Sequence, residues 1–327
     1  MSVFPDGIFQ YGGEPVGSIR FSSPWATTYF VDGTDGNDTF DGKGPGKAFA
    51  TLTQAVATAG AEDVIYVRPK GKYADSSDVY VEDAQVTIPV ASKRLSIIGV
   101  SAHRDNQYYG VFFRYGYGET DTGFILSNSA PGLCLENLGF QTGEYIRNST
   151  RSSAPTGSGA VRMYSTDYST HAGSLGFSCY NCFFRDGQLE IIGGYEGTVN
   201  GCTFKASGSA STGVWSTSNV LPTGGHRILN SYFTEMFGDN QTVSYIYFVP
   251  GQQVDFQIHN CRFGLVPTDN HYMWFGASCK GLVDSCYFQN ADISTGANDS
   301  DSELYSADGG VQFTNVHDGS RAAPGAD

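Results

Sequence analysis

The sequence contains few charged residues, and positively charged residues are the scarcer kind. Of its 327 residues only 16% are charged, and 19 Lys and Arg stand against 33 Asp and Glu, for a formal net charge of −14. No basic stripe is visible along the chain, so the sequence predicts no binding of nucleic acid. The negative charge also repels polyanionic polysaccharides unless a cation or a local basic groove intervenes, which counts against an acidic polysaccharide substrate.

Long apolar runs are also missing. No segment is apolar enough over a sufficient length to span a membrane, so no membrane partner is expected. The first residues, Met1-Ser-Val-Phe-Pro-Asp-Gly7, have neither a basic start nor an apolar core. This pattern predicts a protein without a signal peptide, synthesised in a cytoplasm.

A short pattern that ends in phenylalanine is repeated six times. The phenylalanines are Phe140, Phe184, Phe204, Phe233, Phe263 and Phe288. Two residues before them stand Leu138, Cys182, Cys202, Ser231, Cys261 and Cys286, and three before them stand Asn137, Asn181, Gly201, Asn230, Asn260 and Ser285. The intervals of roughly 20 to 44 residues are typical of one repeat per solenoid coil.

The spacing within the pattern predicts two strands joined by a sharp corner. Side chains alternate along a strand, so each Phe shares a face with the residue two before it. The residue five before the Phe is also apolar, and a bend is needed to bring it to the same interior. Asn is suited to that bend because it tolerates a left-handed backbone. Stacked coils would then form inward columns of Phe, Cys and Asn.

These residues carry a resemblance to a known family. Inward stacks with an Asn ladder at a tight corner resemble the right-handed parallel β-helix of pectate-lyase-like proteins and phage tailspikes. The resemblance covers roughly residues 30 to 290, and an earlier match, Leu95-Ser-Ile-Ile-Gly99, places Gly99 at a corner. It implies an all-β solenoid with little helix, and it says little about chemistry because many activities occur on this scaffold.

Seven cysteines are an odd number, and most of them belong to the repeat. We interpret them as small buried hydrophobic residues. Cys179 and Cys182 form a C-x-x-C pair, but no second pair at a suitable spacing completes a zinc site. Free buried thiols indicate synthesis in a reducing compartment.

The chain divides into three parts. Residues 1–27 are apolar but irregular and are expected to form a docking arm. Residues 28–290 form the β-helix, and apolar spacing near residues 49–59 predicts a short N-terminal capping helix. Residues 291–327 are a polar C-terminal segment with one strand-like stretch.

A loop rich in Asp suggests one cation site. Asp32, Asp35, Asp38 and Asp41 supply the oxygen ligands that Ca²⁺ prefers, although the spacing is not that of an EF-hand. The alternative is an Asx-turn loop that leads into the capping helix. No other cofactor is expected.

No catalytic signature is complete. Gly225-His-Arg-Ile228 matches the sequence motifs of polygalacturonases only in part, as a chance match would. Glycosidases need paired carboxylates, for which the candidates are Asp186, Glu190, Glu235 and Asp239, and the alternative is ordinary surface charge. Tyr108, Tyr109 and Trp274 are candidates for stacking on sugar rings, with core packing or a subunit interface as the alternative.

Together these features predict a bacteriophage virion protein, a β-helix spike or head-decoration protein displayed on the particle. By the resemblance it would form a homotrimer and contact other virion proteins of the capsid or tail. A role in attachment to host-surface polysaccharide accompanies this hypothesis. The alternative is a polysaccharide lyase or glycoside hydrolase that degrades host glycan, and a third hypothesis, a bacterial adhesin, lacks an export signal.

Overall fold

The computed structural model describes most of the predicted solenoid. The described residues are 9–11, 14–16, 26–70, 79–82, 84–100, 110–115, 124–141, 159–164, 175–185, 188–205, 214–216, 223–234, 245–248, 253–264, 272–289, 295–297, 304–306 and 311–317.

Three long parallel sheets make up the fold. Sheet 1 contains ten strands: Thr28–Val31, Val64–Val67, Ser96–Gly99, Cys134–Glu136, Ser178–Tyr180, Thr198–Asn200, Arg227–Leu229, Phe256–His259, Gly281–Asp284 and Val311–Thr314. Sheet 2 contains eight: Tyr80–Glu82, Val111–Tyr115, Leu138–Gln141, Phe183–Arg185, Thr203–Lys205, Tyr232–Thr234, Arg262–Phe263 and Tyr287–Phe288. Sheet 3 contains nine: Val86–Ile88, Phe124–Asn128, Gly159–Tyr164, Leu189–Ile192, Val214–Ser216, Ile246–Phe248, Met273–Phe275, Thr295–Ala297 and Leu304–Ser306.

Each coil visits the sheets in the same order. The chain passes from sheet 1 through a corner to sheet 2 and then to sheet 3, and it returns to sheet 1 one coil further along. A small fourth sheet, Gly194–Tyr195, Thr223–Gly224 and Gln253–Val254, lies in the chain between sheets 3 and 1. The predicted right-handed parallel β-helix is confirmed. Near the N-terminus, Phe9–Tyr11 pairs antiparallel with Glu14–Val16.

The one-residue corner between sheets 1 and 2 is confirmed. Asn137, Asn181, Asn230 and Asn260 all have φ between 49° and 55°, and Gly201 and Ser285 take the same left-handed conformation. The carboxamides bond from coil to coil, since Asn260 Nδ2 donates to Asn230 Oδ1 at 2.8 Å. Asn relieves the strain of this conformation by local hydrogen bonding.

Two corners lack Asn, and the preceding residue then continues the ladder. Asn200 precedes Gly201, and its Oδ1 accepts from Asn230 Nδ2 at 3.0 Å. Asp284 precedes Ser285, and its Oδ1 accepts from Asn315 Nδ2 at 2.8 Å. The ladder is therefore maintained by either of two adjacent positions.

The placement of Gly99 at a left-handed corner was wrong. Gly99 ends a strand of sheet 1, and its φ is not positive. A Cβ atom there would lie 2.2 Å from the Asn137 carbonyl oxygen, so close approach of the neighbouring coil explains the glycine.

The phenylalanine column forms the centre of the core and is longer than the repeat indicated. Tyr80 and Phe113 precede Phe140 in the same stack. From Phe184 to Phe288 successive ring centroids are 4.7–4.8 Å apart and nearly parallel. This distance equals the spacing of neighbouring strands, so ring stacking and strand pairing reinforce one another.

The cysteines pack inside as predicted, and all seven are free and buried. Their thiols also bond to the backbone, as Cys202 Sγ does to the Cys179 carbonyl at 3.4 Å. Ser231 fills the same column and donates to the Leu229 carbonyl at 2.8 Å. Burial raises the pKa of the Cys182 thiol well above its ordinary value, so this thiol is neutral.

The capping helix runs from Leu52 to Thr58, within the predicted segment. Its buried residues Leu52, Ala55 and Val56 join the core, and it packs on the first strands of sheets 1 and 3. Glu82, at the start of sheet 2, accepts from the Leu52 N–H at 3.2 Å. Burial raises the pKa of this carboxyl group. The helix covers the end of the coil stack, where inward columns would otherwise be open.

The coil stack continues past residue 290, beyond the predicted boundary. Leu304–Ser306 pairs with Met273–Phe275 in sheet 3, and Val311–Thr314 pairs with Gly281–Asp284 in sheet 1. Val311–Thr314 lies in the strand-like stretch predicted for this segment, whereas Leu304–Ser306 was not predicted from its polar surroundings. Within the described residues no helix combines the length and the apolar character needed to cross a membrane.

Candidate functional site

The outward face of sheet 3 carries one continuous column of side-chain positions. In five of its strands an outward residue lies between two inward apolar neighbours, as Glu190 does between Leu189 and Ile191. The register aligns the outward residues from coil to coil in the order Thr87, Ser127, Arg162, Glu190, Trp215, Tyr247, Trp274 and Tyr305. We call this set the sheet 3 column.

An ion pair occupies the middle of the sheet 3 column. Arg162 Nε donates to Glu190 Oε2 at 2.5 Å, although 28 residues separate them in the sequence. The side chain of Glu190 is only 5% exposed and that of Arg162 is 25% exposed. The guanidinium also lies 4.2 Å from the centroid of the Phe124 ring. These contacts fix the guanidinium in one orientation on the sheet.

Aromatic residues follow the ion pair along the same column. The rings of Tyr247 and Trp274 stack with centroids 4.6 Å apart and an interplanar angle of 8°. Both residues are partly exposed. Burial raises the pKa of Tyr247 above its ordinary value, so its hydroxyl group stays protonated at neutral pH. Trp215 and Tyr305 take the equivalent register positions one coil before and one coil after this pair.

This arrangement suits the recognition of a sugar chain. Aromatic rings with one accessible side or edge contact the apolar C–H face of a sugar ring, and an oriented guanidinium offers hydrogen-bond donors to hydroxyl or carboxyl oxygens. A column with one position per coil also presents such contacts at a regular spacing of about 4.8 Å. The geometry therefore resembles a binding strip rather than an enclosed pocket.

Two of the residues predicted as site candidates lie in this column. Trp274 belongs to its aromatic part, and Glu190 is the carboxylate held by Arg162. The other candidates, Asp186, Glu235, Asp239, Tyr108 and Tyr109, lie outside the described residues. A second carboxylate to partner Glu190 in glycoside cleavage stays a prediction.

The acidic loop uses its carboxylates to hold its own backbone. Asp38 Oδ1 accepts from the Ala50 and Thr51 N–H groups at 2.8 and 3.0 Å. Asp41 accepts from the Lys43 N–H at 3.1 Å. These bonds match the Asx-turn alternative, in which the loop leads into the capping helix.

An arginine neutralises the remaining carboxylates of that loop. Arg68 Nη1 lies 2.6 Å from Asp32 Oδ2 and 3.3 Å from Asp35 Oδ2. Although burial opposes it, bonds from the Thr34 N–H and Arg68 lower the pKa of Asp32. Among the described residues, no three His, Cys, Asp or Glu side chains are grouped so as to hold a metal ion. Calcium binding stays a prediction.

His226, which belongs to the partial match to polygalacturonase motifs, is part of the core. It is 3% exposed, and its Nδ1 accepts from the Gly197 N–H at 3.0 Å. Burial lowers its pKa to about 4. Its ring stands 5.9 Å from that of Phe177, so the packing leaves it no access to a substrate.

The sequence did contain a signal for the residues that were missed. Arg162 and Tyr247 were not selected, yet each is the middle of an apolar triplet, Val161-Arg-Met163 and Ile246-Tyr-Phe248. Such triplets occur in five of the eight strands that contribute to the column. Aligning them would have given the column, but their spacing varies with the loops between them.

Comparison with known proteins supports the fold. No protein-family model matches the sequence, and a search of curated proteins finds no match. A rhamnogalacturonan lyase structure is 13% identical with a TM-score of 0.51, over 88% of this chain and 73% of that one. The GH136 lacto-N-biosidase from Eubacterium ramulus is 10% identical with a TM-score of 0.50, over 89% and 68%. ORF18 of Geobacillus virus E2 is 12% identical with a TM-score of 0.42, over 87% and 60%.

At these identities the likeness establishes the fold alone. The chain is a right-handed parallel β-helix.

Proposed function

We propose that this chain is a β-helix spike or decoration protein of a bacteriophage particle that binds host-surface glycan along the sheet 3 column. The observation that carries the glycan-binding part is the ordered aromatic pair Tyr247 and Trp274, which begins two coils beyond Glu190 of the fixed Arg162–Glu190 pair. The coil stack would hold this binding surface rigidly, because the strands in the middle of each sheet are paired on both sides.

Binding is favoured over cleavage by the state of Glu190. Its carboxylate already accepts from the Arg162 guanidinium at 2.5 Å, and its side chain is 5% exposed. A general acid or nucleophile must reach the glycosidic bond, and this geometry restrains the group instead. Cleavage by a polysaccharide lyase or glycoside hydrolase is therefore the second hypothesis.

The glycan-binding part is tested with an array of uncharged bacterial surface polysaccharides. The wild-type chain is expected to bind a subset of them, and Trp274→Ala to lose that binding. Phe40→Ala is the matched control, because Phe40 is an exposed aromatic residue of the N-terminal loop, 41% exposed and outside sheet 3. Equal binding by wild type and Trp274→Ala would contradict the proposal.

The same polysaccharides test the alternative. Release of reducing ends by the wild-type chain but not by Glu190→Gln would overturn the binding role in favour of catalysis. An inactive wild-type chain that still binds would support the proposal.

The virion part of the proposal has separate support. All seven cysteines are free and buried, so folding requires no oxidising compartment. Mass spectrometry of purified particles should find the chain in many copies, and light scattering should give a trimer for the recombinant protein. Absence from particles, or a monomer in solution, would contradict this part.

A further inference from the structure

Sheet 2 gathers positive charge on its outward face. Its inward positions hold the phenylalanine column, and the positions between them point outward. The register brings Arg114, Arg185 and Lys205 into one outward column, and Arg262 into the neighbouring one. None of the described outward positions of this sheet is Asp or Glu. Among the described residues, this face is therefore basic although the net charge of the protein is −14.

One depression on this face has the form of a binding subsite. It is open to solvent, has a volume of about 550 Å³ and is lined by residues that include Tyr232, Arg262, Tyr287 and Gln289. Tyr232 is 43% exposed and Tyr287 is 38% exposed, and the register places Arg262 directly between them. The Arg262 guanidinium lies 5.6 Å from the centroid of the Tyr287 ring.

Arg262 is available to an anion. Within the described part of the chain it forms no ion pair. Asp284, which precedes the corner leading to Tyr287, already accepts bonds from Thr314 and Asn315. These bonds lower the pKa of Asp284 to about 2, so the carboxylate is charged, but its hydrogen bonds go to Thr314 and Asn315 and not to Arg262. An exposed guanidinium without a carboxylate partner matches a planar carboxylate from outside.

We propose that the Tyr232–Arg262–Tyr287 depression binds a carboxylate-bearing sugar of an acidic polysaccharide. The guanidinium would pair with the carboxylate while the two exposed tyrosine rings contact the sugar faces. The local basic face removes the objection that the net charge raised against acidic polysaccharides.

A sparsely charged sugar chain fits this face better than nucleic acid does. Nucleic-acid affinity depends on many phosphate contacts, and the described outward face of sheet 2 offers only the four cations named above. The rest of the protein repels a densely charged polymer. This site is on a different sheet from the sheet 3 column, so an experiment can refute either proposal and leave the other standing.

The test measures binding of a fluorescently labelled oligogalacturonate to the full chain by anisotropy at low ionic strength. Its methyl-esterified form is the neutral counterpart, and a single-stranded DNA oligonucleotide is the rival polyanion. Arg262→Gln should weaken binding of the acid form about tenfold, the value of one charge-assisted hydrogen bond. Tyr287→Ala should weaken it roughly two- to tenfold, and Tyr287→Phe should restore it.

Two controls separate this site from general charge and from the sheet 3 column. Arg227→Gln makes the same charge change at an exposed arginine of sheet 1 and should leave binding unchanged. Trp274→Ala should also leave binding of the acid form unchanged. Equal binding of the acid and ester forms, no binding of either, or an equal loss in Arg227→Gln would overturn the proposal. Tighter binding of DNA through Arg262 would overturn the choice of a polysaccharide.

Discussion

Replacing His226 with glutamine is expected to remove much of the acid sensitivity of folding. The imidazole is 3% exposed and accepts one hydrogen bond, from the Gly197 N–H at 3.0 Å. Among the described residues its Nε2 has no hydrogen-bond partner. Protonation would therefore place a charge in the core and replace the acceptor at Nδ1 with a donor facing another donor.

The size of the effect follows from the two pKa values. Burial lowers the pKa of His226 from 6.5 to about 4 in the folded protein. Between these values the unfolded chain binds more protons than the folded one, so stability falls as the pH falls. The contribution is fully present above the unfolded pKa, and about 3 kcal/mol of it is lost by about pH 4.

Urea unfolding of wild type and His226→Gln at about pH 7.5 and about pH 4 measures this loss. The Gln amide oxygen can accept from the Gly197 N–H but does not titrate in this range. The variant should lose about 3 kcal/mol less than wild type on acidification, whatever its stability at neutral pH. His317→Gln, at an exposed histidine, is the control and should behave as wild type. An equal loss in wild type and His226→Gln would refute the reasoning.

Three further substitutions test the columns. Phe204→Ala removes the ring between Phe184 and Phe233, and urea unfolding should show a loss of about 3–5 kcal/mol. If the loss is below about 1 kcal/mol, the stack does not stabilise the fold as described. Asn230→Ala places a β-carbon at φ 49° without a carboxamide, so its free energy of unfolding should fall further than that of Asn230→Gly, by about 1–2 kcal/mol. Equal midpoints would contradict a left-handed corner. Cys261→Tyr overpacks its column and should lower the free energy of unfolding by about 1–3 kcal/mol or more. Cys261→Ser should lower it less, because Ser231 already fills an equivalent position in that column. An unchanged free energy of unfolding in Cys261→Tyr would show that the column is wrongly assigned.

Much of the fold could be predicted because its signals are local to each coil. The left-handed corner selects Asn, Gly or Ser within a single tight bend, and Phe and Cys lie two residues apart on one inward face. Gly99 was misplaced because glycine can be required for two different reasons. A positive φ at a corner is one, and close contact with a neighbouring coil, as at Gly99, is the other. The strand Leu304–Ser306, beyond residue 290, was missed because few apolar residues mark it.

The candidate sites were much less accessible to sequence reasoning. Arg162 and Glu190 are 28 residues apart, and no pattern within either coil indicates that they meet. Glu190 and Trp274 were predicted as candidates from their residue types alone, and the sequence did not indicate that they contact Arg162 and Tyr247. The four cations of sheet 2 are scattered along the chain, so the net charge concealed the basic face.

The sequence by itself determined a coiled stack of strands with left-handed corners, an apolar interior and free buried cysteines, because each of these depends on alternation and backbone angles within a few residues. Only the tertiary structure decided which outward side chains meet. That depends on the register between coils, which is fixed by strand pairing, while the loops between strands vary in length. The outward columns on sheets 2 and 3 therefore exist only after the coils are stacked.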